Sequence, residues 1–110
     1  MQKKLYLLGP ITNWPDHAKE FSAAQLKLEE AGYKVINPLH VNMEDYFPLR
    51  PGETLGAKHQ LRADLVEMLT CDGVAMLPVH VPSDGCAREL HLAHDLDMPV
   101  DTIETWIGRM

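Results

Sequence analysis

Short uninterrupted apolar runs alternate along this chain with stretches in which apolar residues recur every three or four positions. That alternation of strand-like and helix-like periods predicts an α/β domain. The run Lys4 to Leu8 is continuous and stops at Gly9-Pro10, as expected of a strand covered on both faces. Asn13-Trp14-Pro15-Asp16 reads as a helix start: an N-capping residue, a proline suited to the first turn, and an acid at the positive end of the dipole. Phe21, Ala24, Leu28 and Ala31 then keep helical spacing until Gly32 offers a left-handed stop. Tyr33 to Ile36 predicts a second strand, ended by Asn37-Pro38. A second helix is expected from Ala57 to Thr70, with Leu61, Leu65, Met68 and Leu69 turned inward. Gly73 to Leu77 follows as a third strand, Ser83 to Leu96 as a third helix, and Met98 to Ile103 as a last strand before a short tail.

Strands separated by helices imply crossovers and a mainly parallel sheet of four to five strands, covered on both sides in a small Rossmann-like three-layer domain. Ligands of such sheets lie beyond the carboxyl ends of the strands. That rule singles out Gly9-Pro10-Ile11-Thr12, Asn37-Pro38 and Pro78 to Ser83. Between Asn37 and Gly56 no period survives, and three prolines and two glycines interrupt the chain. A long irregular connection in so small a domain is expected to be functional, and Tyr46, Phe47 and Arg50 suit it to be a lid.

Composition narrows the partners. The 110 residues are read as one domain, 1–110, with enough apolar content for a single core. A net charge of −6 argues against binding a nucleic-acid polymer through its backbone. The N-terminal apolar run is too short for a secretory core or a membrane span. Two cysteines, Cys71 and Cys86, make no disulfide framework and suit a reduced, cytoplasmic compartment. Cys86, His91 and His94 converge poorly, so no metal and no cofactor are expected.

Two carboxylates sit where apolar residues belong. At about 100° per residue, and with Cys86 set at zero, Glu89 falls at about 300°, between Leu96 and Ala93. A carboxylate inside a buried stripe is costly unless paired or neutralised. Asp64 flanks the stripe of the preceding helix in the same way, near Met68 and Leu61. Two carboxyls bordering one cleft, held in different environments, are what nucleophile and acid–base roles require. Ser83-Asp84-Gly85 opens the third helix, where free amides favour an anion and a glycine permits close approach.

Several segments together carry a resemblance. Leu5-Tyr6-Leu7-Leu8-Gly9-Pro10-Ile11-Thr12, Gly32-Tyr33-Lys34-Val35-Ile36-Asn37-Pro38, Asp64 with Cys71-Asp72-Gly73-Val74, and Ser83-Asp84-Gly85-Cys86-Ala87-Arg88-Glu89 resemble the nucleoside 2-deoxyribosyltransferase-like superfamily. Within it the similarity is to the short branch DUF4406, common in bacteriophage genomes. The resemblance implies a flavodoxin-like sheet. It also implies cleavage of N-glycosidic bonds in 2-deoxynucleosides or their 5′-monophosphates, with transfer of the sugar to another base or to water. It assigns Glu89 as the nucleophile that forms a deoxyribosyl ester, Asp64 as the acid that assists the leaving base, and Tyr6 as the residue that positions Glu89. Gly9, Ser83 and Gly85 match the wall around the 5′ end of the substrate. Asp84 places a negative charge there and favours a neutral 5′-hydroxyl over a phosphate. Sites of this superfamily are often completed by a neighbouring subunit, so a homodimer or larger homo-oligomer is expected. The alternative is a non-catalytic module that binds or senses a nucleotide on the same fold.

Overall fold

The computed structural model describes residues 2–11, 14–78 and 84–110, without the side chains of Ala57, Asp84 and Gly85. Four strands, β1 (Lys4–Leu8), β2 (Lys34–Ile36), β3 (Gly73–Met76) and β4 (Val100–Thr102), pair in the order β2-β1-β3-β4, all parallel. They alternate with α1 (His17–Glu30), α2 (Ala57–Leu69) and α3 (Asp84–Asp95), and α4 (Ile103–Gly108) closes the chain. This is the expected three-layer α/β domain. The chain leaves β1 for one edge and returns past it to β3, so the topological switch lies between β1 and β3, where Tyr6 is in register with Val74.

Alternation along β1 divides the molecule in two. Leu5 and Leu7 face α1 and α4, packing with Phe21, Leu28, Tyr33, Ile103 and Trp106. Tyr6 and Leu8 face α2 and α3, packing with Met68, Val74, Cys86 and Ala93. Leu5, Tyr6, Leu7 and Leu8, four of the five β1 residues, are fully buried, which is why this strand reads as an unbroken apolar run.

Gly32 ends α1 as its sequence predicts. Its φ of 107° is left-handed, and the amides of Gly32 and Tyr33 bond back to the carbonyls of Glu29 and Leu28. The same closure ends α3 with Asp97 in the left-handed position, at φ 54°.

Four expectations are corrected. The helix α1 begins at His17, with Asp16 at the cap position making no side-chain cap bond; Asn13 lies outside the described residues. The helix α2 is rotated from the expected setting: Ala63, Asp64 and Met68 point inward, whereas Leu61 and Leu65 are half-buried and Leu69 is exposed. Leu96, also expected inward, is half exposed, because it is the turn residue that follows α3. The tail is the helix α4, begun by Thr102, whose hydroxyl accepts the amide of Thr105 at 3.1 Å. That helix seats Trp106 against Gly73, where a Cβ would come within 2.7 Å of the indole.

The connection 37–56 also has more order than its lost periodicity suggests. It contains two single 3₁₀ turns, Pro38–His40 and Met43–Asp45. Asn37 and Asn42 start them, each side-chain oxygen accepting the amide two residues on, at 3.0 Å in both cases. Among the described residues, no helix is long and apolar enough to cross a membrane.

Candidate active site

The centre of the α2/α3 face is polar. Tyr6, delivered by β1, is fully buried, and its hydroxyl donates to Oε1 of Glu89 on α3 at 3.2 Å. Glu89 is 9% exposed and Asp64 on α2 is 8% exposed. Glu89 thus occupies the inward arc that its helical position predicts, and the rotation of α2 is what brings Asp64 in beside it. Nε2 of Gln60, one turn before Asp64, donates to Asp64 Oδ1 at 2.8 Å and to the carbonyl of Val41 at 3.2 Å.

Burial dominates the electrostatics. Desolvation and the neighbouring Asp64 carboxylate push the Glu89 carboxyl up to about 7, against a small opposing effect of the Tyr6 hydrogen bond. Desolvation raises Asp64 to about 6, opposed by the bond from Gln60. The Tyr6 phenol is pushed above its ordinary range by burial and by both carboxylates, so it remains a donor. Two interacting carboxyls of this kind titrate as a pair, and their burial favours keeping a proton on the pair. One ionised and one protonated carboxyl in a dry site can supply a nucleophile and an acid together.

The other expected site residues divide. Asn37 is 3% exposed and fully engaged, accepting from Leu39 and donating to Gln25 at 3.1 Å. It lines a cavity of about 220 Å³ at the β2 edge, together with Val41, Tyr46 and Glu67. Gly9 has a packing reason: a Cβ there would lie 3.2 Å from Leu77 and from the Phe21 ring, on the face away from Glu89. Pro10 is buried and Ile11 is 39% exposed, beside Trp14 and His17. Asp84 and Gly85 form the first turn of α3, and Ser83 lies outside the described residues.

The proposed lid residues are partly docked. Tyr46 donates to Glu67 on α2, and the Phe47 ring meets Arg62 at 4.4 Å and His59 at 5.3 Å. Arg50 projects outward beside Glu53. Sequence reasoning passed over Gln60; its signal was the four-residue spacing to Asp64, which stacks the two side chains on one helix face.

Comparison with known proteins bears on the family and the fold. The family model for a domain of unknown function, DUF4406, matches residues 3–102. The chain belongs to the DUF4406 family. Among solved structures, this DUF4406 domain is similar to the 2-deoxyribosyltransferase of the psychrotolerant bacterium Bacillus psychrosaccharolyticus. The TM-score is 0.66 at 25% identity, over 88% of this chain and 69% of that one. The fold and the family match together place this DUF4406 chain in the nucleoside 2-deoxyribosyltransferase-like superfamily. No curated protein sequence matches it.

Proposed function

We propose that this protein cleaves the N-glycosidic bond of 2-deoxynucleosides or their 5′-monophosphates and carries the sugar through an ester on Glu89. The observation that carries the reading is the buried Tyr6–Glu89–Asp64 cluster beside the topological switch of the sheet. The structural likeness to a 2-deoxyribosyltransferase supports it.

In this mechanism Tyr6 occupies Glu89 Oε1 and leaves Oε2 to attack C1′. As the bond from C1′ to the base nitrogen breaks, its electron pair leaves with the base, and the proton of Asp64 follows it. Glu89 is the carboxyl raised further of the two, so it is the positive charge developing on the sugar that favours its ionised form and shifts the shared proton to Asp64. A second base, or water, then displaces the ester and returns a proton to Asp64. The charge of Asp84 at the opening turn of α3 favours a 5′-hydroxyl over a phosphate. Assembly into a homo-oligomer belongs to the same reading, and Val66 and Leu69, exposed together on α2, offer apolar surface for it.

The test is incubation with a mixed pool of deoxynucleosides and deoxynucleotides, followed by chromatography. Free base, with or without new nucleosides, is the expected result. Saturable binding with no released base would instead favour the sensing module.

A further inference from the structure

We infer that Gln60 is a positioning residue that keeps the reacting proton of Asp64 on Oδ2. The inference rests on the proposed role of Asp64 as the acid that assists the leaving base. The two hydrogens of Gln60 Nε2 have two acceptors in reach, Asp64 Oδ1 at 2.8 Å and the Val41 carbonyl at 3.2 Å. Because both partners are acceptors, the amide has one favourable orientation; turned over, its oxygen would face the Val41 carbonyl. With Oδ1 already accepting, a proton on Asp64 has its place on Oδ2. A proton on Oδ1 would require the amide to turn over and leave the Val41 carbonyl without its donor.

Among the described residues, Gln60 is the hydrogen-bond partner of Asp64. The titratable groups coupled to that carboxyl are Tyr6 from β1 and Glu89 from α3. The 37–56 connection contributes the Val41 carbonyl. Gln60 also lowers the raised pKa of Asp64, as a donor to the ionised form must. Anchored at Val41, which lines the β2-edge cavity, the amide holds the Asp64 carboxyl in one direction.

The experiment uses Gln60→Met, similar in shape without a donor, and Gln60→Leu as a second variant, each confirmed folded by circular dichroism. Two substrates are compared. Deoxyadenosine needs a proton on its leaving base, whereas 7-methyl-2′-deoxyguanosine already carries a positive charge on its base, which departs neutral and needs none. General acids contribute on the order of 10²–10⁴. Misplacing the proton should therefore lower kcat on deoxyadenosine by roughly tenfold to a hundredfold, with the methylated substrate changed by less than about threefold. Equal loss on both substrates, or no loss on either, overturns the inference. Carbon-13 NMR of the Asp64 carboxyl gives a readout independent of turnover: its titration midpoint should rise in both variants, and an unchanged midpoint overturns the role of Gln60. If the wild-type protein releases no base at all, the proposed function fails while the titration still decides the positioning.

Discussion

The two faces of this sheet are built from alternate residues of the same strands and have opposite contents. On the α1/α4 face the buried polar side-chain atoms of the described residues have internal partners. The Tyr33 hydroxyl donates to the Trp106 carbonyl at 2.5 Å, and Trp106 Nε1 donates to the Val74 carbonyl at 2.8 Å. The Tyr33 and Trp106 rings meet edge to face, 5.9 Å apart. The α2/α3 face buries a tyrosine and two carboxyls whose neutral forms are favoured by their surroundings. One face stabilises the domain; the other holds charge at a cost. Such a division is expected where a small domain must carry chemistry, since stability given up at a site has to come from elsewhere in the fold.

The largest way to break this contrast is Glu89→Gln. Its turnover should fall by several orders of magnitude, as loss of a nucleophile does, and base release followed by chromatography measures it. Trp106→Ala should act in the opposite sense. Removing a fully packed indole from beside Gly73 and Tyr33 should cost about 3–5 kcal/mol in denaturant unfolding. The protein that remains folded should keep its kcat, because no contact of Trp106 reaches the carboxyl pair.

The third prediction is a pH dependence. Glu89 has its folded pKa raised from 4.5 to about 7, and Asp64 is raised in the same direction, from 3.8 to about 6. Between the unfolded and folded values the native state holds more protons than the unfolded chain, so unfolding free energy declines as pH rises through this window. The effect is absent below about pH 4 and complete above about pH 7. For Glu89 it amounts to about 1–4 kcal/mol. Glu89→Gln should remove about half of that decline, leaving the part due to Asp64, and be more stable than wild type at pH 8, as read by urea unfolding across pH. A variant less stable than wild type at pH 8 would contradict the electrostatic account of this face.

Tyr6→Phe should be the mildest of the four. It retains the ring in the core and loses one hydrogen bond, for about 1 kcal/mol. Because that bond favours ionised Glu89, its loss should move the acid limb of the pH–rate profile upward.

The same contrast explains what could be read from sequence. The α1/α4 face follows from local rules: Leu5 and Leu7 of the first apolar run, the stripe of Phe21, Ala24 and Leu28, and the stop at Gly32 all hold in the structure. Glu89 was legible for the converse reason, as an acid in an apolar arc. Asp64 was only half legible, because the orientation of α2 departs from its apolar pattern. Leu69 stays exposed while Asp64 turns in towards Tyr6 and Glu89, which are remote in sequence. The tail hid α4 because a six-residue helix has too little periodicity to detect, and its anchor, Trp106, is held by Gly73, Val74 and Tyr33, all remote in sequence. Gln60 carries no sequence anomaly, since an amide one turn from an acid is ordinary on an exposed helix face.

The most direct test of the central claim is the fate of Glu89 during turnover. Wild-type protein mixed with deoxynucleosides, quenched in acid within one turnover and digested, should yield one peptide heavier by a single deoxyribosyl unit, mapped by fragmentation to Glu89. The adduct should be lost when a second base is added before the quench, and it should not form in Glu89→Gln. Release of base with no adduct on Glu89, or with an adduct on another residue, would contradict the account.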